Sequence, residues 1–219
     1  MIIYSKKTPY NDISVEEDYP IRKLLFGMGL AHEQSAIDLT DLDRHVYDYS
    51  LLAMDAFSFV KKPSNALIIG LGGGIIARQI VLKFPDANVD ILEIDPEVLN
   101  VAKEYFFFKD SDQVRVHIGD ALETISKLGK KYDVVILDAF DKDYIPPQLM
   151  TESFTQQVYN VMSDNSVFGI DICHIHESFN HHLSIIKKIF EDNLFRINGL
   201  RNNLSSFIFC RRKKFNLKK

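Results

Sequence analysis

Short apolar runs alternate with segments of helical periodicity from residue 64 onward. The strand-like segments lie at 66–69, 89–92, 114–118, 134–137, 167–172 and 204–210, of which 114–118 alternates apolar and polar residues, and the helical segments lie at 75–84, 96–105, 122–128, 154–162 and 182–190. Near-continuous apolar strands separated by helices are typical of a parallel sheet covered on both faces. We therefore predict a Rossmann-like, doubly wound α/β domain over residues 63–219, with a mostly parallel seven-stranded sheet.

The first 40 residues lack this alternation. Short β-prone pieces at 2–4, 13–15, 23–26 and 34–37 are separated by turn residues, and they predict a small antiparallel β appendage over residues 1–40. In residues 41–62, apolar positions recur at three- and four-residue steps before Pro63. This pattern predicts a linking helix between the appendage and the main domain.

Composition limits the class of partner. The 219 residues carry a net charge of −4, which argues against nucleic acid as an electrostatic partner. The two cysteines, Cys173 and Cys210, are too few for a disulfide framework, so we expect a reducing, cytoplasmic location. No apolar run reaches the roughly 20 residues that span a bilayer, so we expect no membrane partner.

A glycine-rich turn joins the first strand of the domain to the helix that follows. It contains Gly70, Gly72, Gly73 and Gly74. Glycine lets the backbone approach a ligand closely, and a helix N-terminus offers free N–H groups. A tight strand-to-helix turn without a ligand has the same sequence pattern, so the loop alone is a weak signal.

Acidic residues end the next two strands. Glu93 lies about 20 positions after the glycine loop, where a carboxylate can accept hydrogen bonds from both hydroxyls of a ribose. Asp120 can accept a hydrogen bond from an exocyclic amine such as adenine N6, or it can cap the helix that begins at Ala121. Asp95 is expected to cap the helix opened by Pro96.

Two more acids follow the fourth strand. Asp138 and Asp141 can act as a general base on an amine or hold a cation, since ligands of open α/β sheets bind at this edge. A helix-capping acid beside a solvated acid is the alternative. Asp143 and Tyr144 come next, in a loop long enough to form a lid.

The ordered motifs GxGGG, LEID, GDA and YDVVILDAFD resemble the spermidine synthase family of class I AdoMet-type transferases. The resemblance covers nearly the whole chain. Residues 5–13 are similar to the family's S-x-Y-Q-x-I segment, and residues 138–151 match its D-S-S-D-P loop without a gap. Residues 46–48 fall where the family has a Tyr-His-Glu helix, and Glu177 with Ser178 matches its E-S pair.

The resemblance implies a role for each matched residue. Glu93 would bind the ribose of the donor nucleoside, and Asp120 with Ala121 would contact adenine. The glycine loop would lie below the sulfonium chain. Asp138 would take a proton from the acceptor amine, and Asp141 would help to hold the amine or the aminopropyl group. The residues implied for the acceptor pocket are Tyr10, Tyr47, Asp143, Tyr144 and Glu177.

The resemblance also implies the reaction and its co-substrate. An aminopropyl group would pass from decarboxylated S-adenosylmethionine to a small-molecule amine such as a polyamine, with no metal and with a homodimeric enzyme. Gly73 departs from the family, whose loop has an Asp here that pairs with the donor's ammonium. This departure favours the alternative of methyl transfer from intact S-adenosylmethionine. The acceptor side departs as well, since Asn11 and Ile175 replace family glutamines.

Three other interpretations remain. The glycine spacing differs from the GxGxxG of NAD(P)-binding proteins, which disfavours that class. A non-catalytic binding protein of the same fold is possible, although the acids at successive strand ends argue against it. The His-rich stretch 174–182 can in principle bind a metal, but no second cluster completes a tetrahedral site, so we expect a polar loop.

Overall fold

The computed structural model describes residues 1–27, 33–141, 144–199 and 205–212. Its N-terminal part is a separate antiparallel sheet of four strands in the order β1-β2-β3-β4. The strands are β1 Ile2–Lys7, β2 Asp12–Asp18, β3 Ile21–Phe26 and β4 Glu33–Asp38. The predicted antiparallel appendage is confirmed.

The second sheet has seven strands in the order β10-β11-β9-β8-β5-β6-β7. Strands β5 to β9 pair in parallel, whereas β11 runs antiparallel to both β9 and β10. The strands are β5 Asn65–Ile69, β6 Asn88–Glu93, β7 Val114–Ile118, β8 Tyr132–Leu137, β9 Met162–Cys173, β10 Leu194–Asn198 and β11 Ser205–Arg211. This confirms the doubly wound, mostly parallel sheet.

Helices cover both faces of this sheet because its strands are apolar on both sides. Alternate residues of each strand enter two different apolar clusters: Ile68 and Val134 pack towards α1, α2 and α3, and Ile69 and Val135 towards α5 and α6. The helices are α1 Asp48–Asp55, α2 Ile75–Lys83, α3 Pro96–Tyr105, α4 Ala121–Thr124, α5 Glu152–Val161 and α6 Phe179–Phe190. Among the helices of the described ranges, none is both long and apolar enough to cross a membrane.

Two elements differ from the sequence prediction. The linking helix predicted over 41–62 begins only at Asp48 and ends at Asp55, followed by a 3-10 turn, Ala56–Phe59. Asp38 explains the late start, because its carboxylate accepts hydrogen bonds from Thr40 and Arg44, and these local bonds compete with a helix. The edge strand β10 was not located by the apolar pattern, since it alternates polar and apolar residues.

Candidate functional site

A cavity of about 280 Å³ opens at the carboxyl edge of β5, β6, β7 and β8. The N-terminal sheet covers one side of the cavity, and the loop after β8 covers another. The predicted site residues in its lining are Tyr10, Gly70, Gly72, Glu93, Asp120, Ala121, Asp138 and Asp141. The fold thus brings Glu93, Asp120 and Asp138 to one shared hollow, as the strand-end pattern predicted.

The glycine loop holds its backbone close to β8. Gly70 has φ of 100°, and a Cβ atom there would lie only 2.1 Å from the carbonyl oxygen of Asp138. A side chain at Gly70 is therefore excluded by backbone geometry as well as by space. Of the four glycines, Gly70 and Gly72 line the cavity.

Gly73 and Gly74 belong to the same loop but do not line the cavity, and their role in binding the donor stays a prediction. The Gly73 N–H donates to Oγ of Ser35 over 2.9 Å. A Cβ atom at Gly73 would lie 2.9 Å from Cδ1 of Phe106, and one at Gly74 would lie 2.4 Å from a ring carbon of Phe108. Aromatic side chains after α3 thus occupy the space that a side chain at Gly73 or Gly74 would need.

Glu93 is buried at the end of β6, with both carboxylate oxygens engaged. Oε2 accepts from the backbone N–H of Leu71 over 3.0 Å, and Oε1 accepts from that of Asp95 over 2.8 Å. Burial raises the pKa of Glu93 to about 7, and the two backbone donors counteract only part of that rise. A carboxylate has about four acceptor sites, so Glu93 can still accept a hydrogen bond from a bound hydroxyl.

Asp95 caps helix α3, as predicted. Its Oδ1 accepts from the N–H of Glu97 over 2.9 Å, and Pro96 occupies the first turn. Its Oδ2 accepts from the hydroxyl of Thr8 over 2.6 Å. The cap therefore also fixes the β1–β2 turn, which contributes Tyr10 to the cavity lining.

Asp120 caps helix α4 through a 2.8 Å hydrogen bond from the N–H of Leu122 to its Oδ1. The capping alternative is thereby confirmed. Gly119, Asp120 and Ala121 all line the cavity, so capping and ligand contact are compatible. A role in binding adenine stays a prediction.

Asp138 has an acidic neighbour that the sequence analysis missed. Leu137 of β8 pairs with Ile170 of β9, so Asp138 and Asp171 follow side by side on the same face of the sheet. Burial raises the pKa of Asp138 to about 7. The pKa of Asp171 is also raised well above its usual range, first by burial and then by the charge of Asp138.

Tyr49 of α1 faces both aspartates. Its pKa is raised by burial and then by the charges of Asp138 and Asp171. The Tyr49 hydroxyl lies 3.2 Å from Oγ of Ser35, which in turn holds Gly73. This chain of contacts links the N-terminal sheet, the glycine loop and the acidic pair.

Sequence reasoning missed Asp171, Tyr49 and Ser35 for different reasons. Asp171 lies within an apolar strand, and an acid between two isoleucines was a signal that could have been read. Tyr49 lies in the predicted linking helix, where its ring fits the recurring apolar positions and gives no sign of a polar role. Ser35 lies in a strand of the other sheet, and its approach to the glycine loop depends on tertiary packing.

The residues expected in the acceptor pocket divide into two groups. Tyr10, 49% exposed, and Asp141 line the cavity. The Asp141 side chain accepts from the N–H of Tyr144 over 2.9 Å, and its own N–H donates to the carbonyl of Tyr144 over 2.9 Å. Asp141 therefore shapes the turn that begins the loop after β8.

Three other residues predicted for the acceptor pocket lie outside the lining of this cavity, and their role stays a prediction. The Tyr47 hydroxyl donates to the carboxylate of Glu33, and Tyr144 is buried with its hydroxyl 3.4 Å from the carbonyl of Cys173. Glu177 is exposed in the turn before α6. None of these three is among the described residues that line the cavity. Asp143 lies outside the described residues.

The His-rich stretch packs beside a second hollow, on the other side of Tyr144. His176 stacks on Tyr144 with ring centroids 3.8 Å apart, and His182 follows at 5.5 Å. His182 is buried, and burial lowers its pKa to about 4. Within the described part of the chain, no group of three or more His, Cys, Asp or Glu residues is placed to hold a metal ion.

Comparison with known proteins assigns the family. The spermine/spermidine synthase domain matches residues 44–196, so the chain belongs to this family. The chain is 34% identical over 194 residues to a polyamine aminopropyltransferase of Vibrio vulnificus, an alignment that covers 86% of this chain and 65% of that protein. The chain thus spans slightly less than two thirds of the length of this relative.

Methyltransferases are also similar to this chain. The eEF1A lysine and N-terminal methyltransferase of Xenopus laevis is 31% identical over 159 residues, 68% of this chain and 23% of that protein. Human methyltransferase-like protein 13 in complex with SAH superposes with a TM-score of 0.70 at 24% identity, covering 77% of this chain and 84% of that one.

Solved spermidine synthases share the fold over more of the chain. A spermidine synthase in complex with the transition-state analogue AdoDATO has a TM-score of 0.78 at 21% identity, covering 97% of this chain and 74% of that one. At this identity, the superposition shows the fold alone.

Proposed function

We propose that this protein is a transferase that moves an aminopropyl group from a decarboxylated AdoMet-type donor to a small-molecule amine. One observation carries the proposal: Asp138 and the buried Glu93 line the same cavity. A nucleoside-binding acid and a candidate proton acceptor thus share one hollow. The polyamine aminopropyltransferase relative supports the choice of transferred group.

The proposed donor half uses residues that fit a nucleoside. Glu93 lines the cavity and can still accept a hydrogen bond from a ribose hydroxyl, and Asp120 with Ala121 lies at the adjacent strand end for the base. Gly70 and Gly72 let the backbone approach the sulfur-bearing chain closely. The donor supplies an alkyl carbon activated by a positively charged sulfur, so the protein's own residues need only align the amine and accept its proton.

In the proposed transfer, the amine nitrogen forms a bond to that carbon as the carbon–sulfur bond breaks, and the sulfur leaves with the electron pair as a neutral thioether. The nitrogen then has one proton in excess, which passes to the carboxylate of Asp138. Alignment of the amine lowers the barrier by several kcal/mol, on the order of the gain from converting a bimolecular step to a unimolecular one. A pKa of about 7 for Asp138 suits a proton acceptor near neutral pH.

The decisive experiment compares donors at equal concentration. Purified protein is incubated with putrescine and either decarboxylated S-adenosylmethionine or S-adenosylmethionine, and the products are resolved by mass spectrometry. Transfer of an aminopropyl group from the decarboxylated donor supports the proposal. If none of a panel of small amines receives an aminopropyl group, the proposal is contradicted.

Asp138→Asn tests the base. We expect 5′-methylthioadenosine binding to be retained and turnover to fall by about a hundredfold or more. Asp164→Asn, an exposed change in β9, is the matched control. Unchanged turnover in Asp138→Asn would remove this residue from the role.

Methyl transfer from intact S-adenosylmethionine is the second candidate function. Gly73 favours it, because Phe106 and Ser35 occupy the space of the loop carboxylate that the family uses for the donor's ammonium. The methyltransferase relatives support it as well. Methylated product with the carboxylated donor, and no aminopropyl product, would establish this alternative. A homodimer and a cytoplasmic location remain predictions, and light scattering of the purified protein tests the former.

A further inference from the structure

Asp171 is a buried carboxyl group to which the transfer scheme gives no role. Asp171 is 6% exposed, and it lies in β9 beside Asp138, which follows the last residue of β8. In the described ranges, no lysine or arginine forms an ion pair with either carboxyl group. The titratable groups that interact with Asp171 there are Asp138 at the end of β8, Tyr49 of α1 and Tyr144 of the loop after β8.

These neighbours add no positive charge. Two adjacent carboxylates in a buried site repel each other, and neither has a cation that would offset its desolvation. The pair therefore keeps a proton when the site is empty. Only an entering cation makes the doubly ionised form favourable, and Asp138 gives that cation access because it lines the cavity.

The chemistry of the cation follows from the proposed reaction. A decarboxylated AdoMet-type donor carries a primary ammonium, and so does a protonated diamine acceptor. The glycine loop offers no carboxylate to either group, because Gly73 is packed against Phe106 and Ser35. Asp141, in the loop after β8, also lines the cavity. Its carboxylate already accepts a hydrogen bond from the backbone N–H of Tyr144.

We propose that Asp171 is a positioning residue that acts through Asp138, so that the two carboxyls together bind a primary ammonium group of a substrate. The empty pair holds one proton. When the ammonium lies against Asp138, that proton leaves to solvent, and the second negative charge, on Asp171, strengthens the hold on the cation. This inference rests on the proposed function and identifies the charge that replaces a loop carboxylate.

The test is calorimetric binding to wild-type protein, Asp171→Asn and the control Asp164→Asn. Three ligand arms are used: 5′-methylthioadenosine, which lacks an ammonium; decarboxylated S-adenosylmethionine, which carries the donor's ammonium; and putrescine added to protein saturated with 5′-methylthioadenosine. Each titration is run in two buffers of different ionisation enthalpy, so that the protons released per ligand can be counted.

We expect Asp171→Asn to weaken at least one ammonium ligand by about tenfold or more, with 5′-methylthioadenosine affinity unchanged. Wild-type protein should release more protons near neutral pH on binding that ligand than the nucleoside alone accounts for, with the 5′-methylthioadenosine arm as the reference, and the variant should show no such excess. The arm that responds identifies whether the ammonium belongs to the donor or to the acceptor.

Equal affinities in wild type and variant in both ammonium arms would overturn the inference, as would a parallel loss of 5′-methylthioadenosine binding. If Asp171→Asn does not fold, the wild-type proton count still decides. The inference is overturned if the decarboxylated donor releases no more protons than 5′-methylthioadenosine does and putrescine, added to the saturated protein, releases none. If the wild-type protein is active and Asp171→Asn keeps the full turnover rate, this inference is overturned and the proposed function is not. Failure of wild-type protein to bind either ammonium ligand would overturn the proposed function together with it.

Discussion

The hydroxyl oxygen of Ser35, in the N-terminal sheet, accepts a 2.9 Å hydrogen bond from the backbone N–H of Gly73 in the glycine loop. The bond is buried, and it joins the two sheets at the cavity. The same oxygen lies 3.2 Å from the hydroxyl of Tyr49, which faces the two aspartates. The appendage is thus part of the site, because it holds the loop that would support the donor.

Ser35→Ala should loosen this loop. The variant leaves the buried N–H of Gly73 without its partner, at a cost of about 1–3 kcal/mol in the free energy of unfolding. We expect weaker binding of 5′-methylthioadenosine and a lower urea midpoint. Ser14→Ala, in the neighbouring strand β2, is the control and should change neither. Wild-type behaviour of Ser35→Ala in both measurements would show that the bond does not hold the loop.

Gly73→Asp should fail to restore a family-type loop carboxylate. The new Cβ atom would lie 2.9 Å from the ring of Phe106 and 3.1 Å from Cβ of Ser35, so the side chain cannot enter without displacing them. We expect a loss of stability of about 1–3 kcal/mol, as for other overpacked sites, and no gain in affinity for decarboxylated S-adenosylmethionine.

The matched control for this variant is Gly73→Ala, which adds the clash without the charge. It should lose a similar amount of stability in thermal unfolding. A selective gain in decarboxylated-donor affinity in Gly73→Asp, absent from Gly73→Ala, would contradict the packing argument and show that the loop can adapt.

The local parts of this architecture were predictable from sequence. The glycine turn, the acids at strand ends and the Asp95 cap each depend on a few neighbouring residues and on the rule that parallel strands end at one edge. The order of these motifs along the chain then led to the correct fold and family. Phe106 and Phe108 also proved buried, as aromatic residues after a helix commonly are.

The remainder depends on contacts between distant segments. The pairing of Asp138 with Asp171 requires the register of β8 against β9, and the Ser35–Gly73 bond requires the docking of one sheet on the other. The position of Tyr47 outside the cavity lining has a similar cause. Its neighbour in space, Glu33, captures its hydroxyl, and no local pattern records that contact.

The affinity for a nucleoside should depend on the ionisation of Glu93. Its pKa in the protein without ligand is raised to about 7 by burial, and the carboxylate is the better acceptor for two ribose hydroxyls. The affinity for 5′-methylthioadenosine should therefore rise between about pH 6 and about pH 8. In Glu93→Gln the affinity should be lower by about tenfold and independent of pH over this range, because an amide presents only one acceptor oxygen.

Glu104→Gln, an exposed change on α3, is the control for the Glu93 variant and should reproduce the wild-type pH dependence. Calorimetric titration at each pH provides the measurement. A pH-dependent affinity that persists in Glu93→Gln would assign the titration to another group and remove this one from the binding of the ribose.

The stability of the protein without ligand should report the acidic pair directly. A carboxyl group whose pKa is raised in the folded state contributes stability that is fully present below its unfolded pKa and is lost as the pH rises through its folded pKa. For Asp138 this window runs from about pH 4 to about pH 7, and Asp171 shifts in the same direction. Asp171→Asn removes one acid and relieves the repulsion on the other, so this loss of stability should become smaller.

At about pH 7.5 we therefore expect Asp171→Asn to be more stable than wild type by about 1–3 kcal/mol, and at about pH 4 the difference should largely disappear. Urea unfolding at several pH values measures this, with Asp112→Asn, an exposed change, as the control that should follow the wild type. Glu93 contributes a similar pH dependence to the free energy of unfolding of all three proteins, so its contribution cancels in the comparison. Parallel stability curves for wild type and Asp171→Asn would show that the two carboxyls do not interact, since a coupled pair cannot lose one charge without changing the titration of the other.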